Sequence, residues 1–348
     1  MSLYEQVADL PLTIDAETRE RRERDTSSGF TRVTTTFVLD GEDETGRGED
    51  VAYDTEDHDA LAEVGDLGLT GEYTFAEFSE MLDDVDRFPT REPERESARH
   101  YRRWGVESAG LDLALRQAGE RLGDVLDRTY DPVRFVVSTR LGDPPTTDRL
   151  SDVLDRHPDA EFKLDPVSEW DEELIEAVAA TDAVRLLDLK GQYHGTVVDQ
   201  EPDPDLYERV FEGFPDAVIE DPALTDGTEE LVAANEARIS WDATITGVES
   251  VEALPFAPEW LNIKPSRFST VASLFEAIEY CIEHGISMYG GGQFELGVGR
   301  AHIQAIASLF YPDNPNDVAP GGYNDADLPE GLPDSPLSPP GDPVGLDW

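Results

Sequence analysis

The chain has 348 residues, 39% of them hydrophobic, and a formal net charge of −50 from 77 acidic and 27 basic side chains. That length suffices for one large domain or two smaller ones, and the acidity, which runs from "DAETRERRERD" to "NDADLPEGLPD", excludes an acidic tail as its source and a basic patch for nucleic acid. Self-repulsion on this scale opposes a compact fold at low ionic strength and is screened by salt, so the expected setting is the cytoplasm of an extreme halophile.

The opening "MSLYEQVADLPLT" lacks the basic start and apolar core of a signal peptide, and no apolar run reaches spanning length, so no membrane association is expected. Residues 1–130 mix element types. "FTRVTTTFVLDG" alternates as a strand does, and "TFAEFSEMLDDVD" puts Phe75, Phe78, Met81, Leu82 and Val85 on one helical face. A longer helix follows through "SARHYRRWGVESAGLDLALRQAGERLG". This part reads as an α+β domain.

Over 131–325 short apolar strands alternate with helices. "VRFVVST", "AEFKLDP", "AVRLLDLK", "AVIEDPA", "RISWDATI", "WLNIKPS" and "ISMYGGG" are the strands. Such alternation implies right-handed βαβ units and a parallel sheet, and this many units suit a (β/α) barrel of TIM type better than an open sheet. The single cysteine, Cys281, falls on the apolar face of "VASLFEAIEYCIEHG" and reads as a buried hydrophobe; with no partner it forms no internal disulfide.

In such barrels chemistry sits at the C-terminal ends of the strands. Those ends carry Lys163, Asp188, Glu220, Asp242, Lys264 and Glu295, each one βα unit from the next. The chain has only three lysines, Lys163, Lys190 and Lys264, and uses arginine for its other cations. Two lysines at strand ends are therefore informative, because lysine can give up its proton near neutral pH and arginine cannot. Taken singly, "IEDP" or "WDA" reads as a turn; three carboxylates on consecutive strands with a lysine on each side do not. Asp188, Glu220 and Asp242 suit Mg²⁺, with Mn²⁺ as an alternative. Such an ion stabilises the enediolate left when the proton α to a substrate carboxylate departs, with Lys163 and Lys264 as the proton-transfer groups. The six histidines show no ligand spacing, and only His194, in "GQYHGT", is placed to reach the mouth. "GGGQFELGVGR" lacks the spacing of a nucleotide loop and reads as room for substrate beside Glu295.

The motifs "FKLDP", "LLDLKGQY", "VIEDP", "WDATITGVESVE", "LNIKPSR" and "GGQFELGVGRAH" together resemble the enolase superfamily. Within its muconate-lactonizing branch, the likeness is to the o-succinylbenzoate synthase and N-succinylamino acid racemase group. "GRGEDVAYD" is similar to the capping domain's GxGE stretch. The resemblance implies a modified TIM-type barrel (131–325) under an N-terminal capping domain (1–130), with segment 326–348 packing back on the cap. It implies Asp188, Glu220 and Asp242 as magnesium ligands, Lys163 and Lys264 as catalytic lysines, and Glu295 as a supporting or substrate-binding residue. The expected reaction is dehydration by a carbon–oxygen lyase. A racemase, epimerase or cycloisomerase, a methylaspartate ammonia-lyase-like elimination, and a non-catalytic metal-binding barrel stand as alternatives. A small carboxylate substrate and a homo-oligomer are expected.

The chain departs from the family pattern at four places. Glu161 stands where the first lysine of Lys-x-Lys is usual, Lys190 where an asparagine is usual, and Ala243 where an acid follows the third ligand. "PNDVAPGGYN" lacks the Asp-x-Asp by which dipeptide epimerases hold an ammonium. We expect Lys190 to contact the substrate carboxylate in place of the lysine missing at 161.

Overall fold

A computed structural model describes residues 1–26, 29–193, 199–341 and 343–348. The N-terminal part holds two antiparallel sheets. One pairs β1 (Pro11–Ile14) with β5 (Gly71–Thr74); the other runs in the order β2 (Ala16–Asp25), β3 (Thr31–Gly41), β4 (Glu44–Asp50). The helix Ser97–Ala118 lies directly on β4, and the glycines of "GRGE" explain how. A Cβ at Gly46 would come within 2.4 Å of the Ala109 carbonyl oxygen, and one at Gly48 within 2.1 Å of that of Gly105. Backbone meets backbone there, so no side chain fits at either position.

Beyond the N-terminal part the described residues form seven parallel strands: β6 (Val136–Thr139), β7 (Glu161–Leu164), β8 (Val184–Asp188), β9 (Val218–Glu220), β10 (Ile239–Trp241), β11 (Trp260–Ile263) and β12 (Ser287–Gly290). They pair in chain order, and the bridges Phe135↔Asn316 and Gly291↔Asp317 bring residues 316–317 between the first and last strands. The result is the TIM-type barrel that the alternation implied, with the N-terminal cap that the resemblance implied. Cys281 is fully buried in the helix Val271–His284, and burial pushes its thiol up to about 12, so it stays protonated and packs as a hydrophobe. Among the described residues no helix is long and apolar enough to cross a membrane.

Long-range contacts tie the cap to the rest of the chain. The buried Glu49 carboxylate, from the cap, accepts the N–H groups of Leu296 and Gly299 at 2.8 Å each and of Gly297 at 3.0 Å. It thereby holds the start of the barrel helix Gly299–Phe310, where a carboxylate is favoured by the helix dipole. The C-terminal segment returns across the helix Ser97–Ala118: the Leu346 N–H donates to Asp112 Oδ1 at 2.8 Å, and Arg116 pairs with Asp347 at 2.6 Å.

Candidate active site

Because successive residues of a strand face opposite ways, each strand offers its last inward residue to one shared mouth. Asp188, Glu220 and Asp242 arrive there from β8, from β9 and from just beyond β10, all with no exposed surface. One oxygen from each lies within 4.8 Å of the others; among the described residues no other cluster of possible metal ligands does this. Three buried oxygen donors at that spacing fit a small hard cation such as Mg²⁺.

Each carboxylate currently meets a cation of the chain. The Lys163 ammonium donates to Glu220 and lies 3.5 Å from Asp188 Oδ2 and 3.7 Å from Asp317 Oδ2. Lys264 donates to Asp242 Oδ2 at 2.8 Å, and Arg267 reaches Asp242 Oδ1 at 3.0 Å. Lys190 donates to Asp188 from two residues further on, with its backbone at φ 56° and its N–H also on Asp188, at 3.0 Å. Glu220 further accepts from Asn262 at 3.0 Å and from Tyr289, while the Tyr193 hydroxyl donates to Asp242 at 2.7 Å.

The electrostatics follow from this crowding. Burial disfavours a charge on Lys163, but Glu220, Asp188 and Asp317 outweigh it and hold the ammonium protonated. Burial likewise works against ionised Asp188, and Lys190 and Lys163 reverse it, keeping Asp188 well below the usual carboxylate range. Glu220 is pushed the other way, by burial and by the neighbouring charges of Asp188 and Asp242. Asp221, which accepts the N–H groups of Asp242 and Ala243 at 2.8 Å each, is raised by burial and by Asp242 to about 7. A cation placed among the trio would relieve this repulsion.

Lys163, Lys190 and Lys264, every lysine in the chain, line one cavity of about 390 Å³ under the cap. Arg95, Arg140 and Arg267 add positive charge to it, Tyr53, Tyr101 and Phe294 an aromatic side. A hollow of about 640 Å³ at the barrel's other end, beside Arg134 and Glu161, is lined by Asp131, Asp159 and Asp313 as well but by no lysine, and among the described residues its acids form no metal-capable cluster. Glu295 does not line the mouth cavity. It sits behind the loop after β12, where its carboxylate accepts the Gln293 N–H at 2.6 Å and pairs with Arg300 at 3.2 Å. Glu161 points to the far end of the barrel, between Arg134 and Arg185. His194 lies outside the described residues.

Sequence reasoning missed Asp165, Asp317, Arg140, Arg267 and Gln293 as cavity residues. For all but Asp317 the signal was position: each follows a strand end by a few residues, as βα-loop residues of a barrel mouth do. Asp317 belongs to the eighth position, whose pairing is too short to show as a strand pattern.

Models for the N-terminal and C-terminal domains of a family described as a domain of unknown function (DUF8230) match residues 5–125 and 129–325. The o-succinylbenzoate synthase of Bacillus subtilis (strain 168) is 25% identical over 234 residues, covering 64% of this chain and 61% of that protein. An N-succinylamino acid racemase of Amycolatopsis sp is 29% identical over 233 residues, 64% of this chain and 60% of its own. The chain thus matches about 60% of the length of these relatives, which carry the two names its motifs suggested. Among solved structures, a dipeptide epimerase from Methylococcus capsulatus, complexed with Mg and L-Arg-D-Lys, superposes with TM-score 0.74 at 18% identity, covering 97% of this chain and 99% of that one. Muconate lactonizing enzyme from Pseudomonas putida gives TM-score 0.68 at 18% identity, with 96% of each chain covered. These neighbours are enolase-superfamily enzymes, and this chain shares their fold.

Proposed function

We propose that this chain, which belongs to the DUF8230 family, is a magnesium-dependent enzyme that removes the proton α to a substrate carboxylate. The observation that carries the reading is the meeting of three buried carboxylates and all three lysines in a single capped cavity. Asp188, Glu220 and Asp242 would hold the ion, with Mn²⁺ as a substitute. When bound, it supplies a Lewis acid against which negative charge on the substrate carboxylate is stabilised. Lys163 and Lys264 come from the second and sixth strands of the ring and so face the substrate from opposite sides. One takes the α-proton; the other delivers a proton to the opposite face or to a leaving hydroxyl. Lys190 is the substrate-carboxylate contact, replacing the lysine absent at 161. Glu295 supports the loop that edges the cavity.

The preferred reaction is o-succinylbenzoate synthase-like water loss through an enediolate. The second reading, racemisation of an N-acylamino acid, is favoured by the presence of a lysine on each side of the cavity, since a racemase must serve both faces of one carbon. The acidic surface suits a cytoplasm of molar salt, where charge screening falls to about 3 Å.

The test is α-proton exchange with solvent deuterium for N-succinylamino acids, hydroxy acids and the o-succinylbenzoate precursor, in molar KCl with Mg²⁺. Exchange is expected to need the metal and to fall by roughly 10²–10⁴-fold in Lys163→Ala and Lys264→Ala. Product analysis then separates water loss from racemisation, and repeating the assay in dilute salt should reduce activity. Exchange without metal, or unaffected by loss of either lysine, would overturn the mechanism.

A further inference from the structure

The mouth cavity has one buried donor that the protein itself leaves unused. Gln293 follows the glycines at the end of β12, lines the cavity and is 2% exposed. Its backbone is held on both sides. The N–H donates to Glu295 Oε1 at 2.6 Å, and the carbonyl accepts from Nε of the buried Arg32 at 3.1 Å. Its side-chain oxygen accepts from the Tyr53 hydroxyl at 2.7 Å, and the Arg32 guanidinium lies 4.5 Å from the centre of the Tyr53 ring. Burial pushes the Tyr53 hydroxyl up to about 12, so it keeps the proton it donates. With the amide oxygen taken, Gln293 Nε2 has no hydrogen-bond partner among the described residues.

A buried donor without a partner opposes folding, and most such groups in folded proteins find one. The chain also keeps the surrounding turn tight. A Cβ at Gly291 would come within 2.7 Å of Lys264 Cε, and one at Gly292 within 2.4 Å of Glu295 Oε2. The turn that carries Gln293 is therefore packed against the lysine that faces the substrate. Two cap residues, Arg32 and Tyr53, hold a neutral amide donor at the edge of a cavity that is also lined by three lysines and three arginines.

We propose that Gln293 is a specificity-determining residue: its amide N–H₂ donates to a second acceptor oxygen of the substrate, apart from the carboxylate that meets the metal. The substrate class is then a carboxylic acid that also bears an acyl, keto or further carboxylate oxygen. This rests on the carboxylic-acid reading of the site above. Cations attract any anionic acid from solution, whereas a fixed neutral donor discriminates among acids by where an oxygen falls, because an acid lacking it leaves the donor unpaired.

The experiment measures binding of two probes to the magnesium-loaded full chain by calorimetry: o-succinylbenzoate, and 2-butylbenzoate, which keeps the ring carboxylate and lacks the succinyl oxygens. Gln293→Met, similar in length and without a donor, is expected to weaken o-succinylbenzoate roughly tenfold or more and to change 2-butylbenzoate by less than about twofold. Its thermal midpoint should stay near the parent's, since one orphan donor is removed while the Tyr53 hydroxyl loses its acceptor. Tyr53→Phe should weaken o-succinylbenzoate in the same direction by less. Equal losses for both probes, or none for either, overturn the assignment. Because binding is read without turnover, absence of α-proton exchange would retire the proposed chemistry and leave the selectivity result standing on its own.

Discussion

At the far end of β7, Glu161 holds two arginines: Arg134 through bonds of 2.6 and 2.7 Å, and Arg185 at 2.7 Å. Two residues along, on the same face of the strand, Lys163 meets the carboxylates of Glu220, Asp188 and Asp317. One end of the barrel has one acid between arginines, with its carboxyl lowered: burial alone would raise it, and Arg134 and Arg185 more than reverse that. The other end sets all three lysines, with Arg267 beside them, among carboxylates, and there burial and the neighbouring acids raise Glu220 and Asp221. Permanently charged guanidiniums in a satisfied network hold structure. Ammoniums among crowded acids can exchange protons and make way for a metal.

The largest effect expected from probing this contrast is at Lys190. If it has taken over the role of the lysine absent at 161, Lys190→Ala should raise KM about tenfold or more while kcat changes less, because a ground-state contact is lost. Glu161→Gln should leave both constants within about twofold. Equal effects at the two positions, or none at Lys190, would end the idea that a charge moved from one strand to its neighbour.

Much of this was legible in the sequence, for a physical reason. Barrel strands are buried on both faces, so "VIEDP" or "LNIKPS" shows as an apolar run that stops at its functional residue. The cap was less readable. β2, "AETRERRERD", is exposed along most of its length and has no apolar alternation, so it reads as a charged run although it pairs with β3 over ten residues. Glu49, Arg32 and Tyr53 act on partners more than 200 residues away, and no local spacing announces such contacts. Gln293 was hidden by the glycines beside it. Its meaning lies in the hydrogen bond it lacks, which only packing shows.

An intermediate effect concerns pH at the mouth. With its metal removed by chelator, the protein should lose stability as pH rises from about 4 to 7. In that window an unfolded Asp221 has released its proton while the folded one, raised to about 7, still holds it, so the unfolded state is progressively favoured. Asp221→Asn should flatten this part of the profile of thermal midpoint against pH. Saturating Mg²⁺ should flatten it too, because a cation among the neighbouring ligands removes the repulsion from Asp242. An unchanged slope in Asp221→Asn would show that Asp221 does not carry it.

The smallest effect is at the far end, and its sign is opposite. Glu161 is lowered on folding, so its contribution is complete above about pH 4.5 and is lost as pH falls through its folded value. Glu161→Gln should therefore destabilise by about 1 kcal/mol near neutrality, a figure kept small because the group is half-buried and screened. The difference from the parent should shrink in acid. Both residues are carboxylates in the same barrel, yet one should make the folded protein more stable as pH rises and the other less so. Paired urea titrations of Glu161→Gln and Asp221→Asn at pH 4 and 7, in chelator and at constant ionic strength, read both signs together. If the two variants moved in the same direction with pH, the division between a structural end and a chemically poised end would fail, because that division rests on how each carboxylate's neighbours are charged.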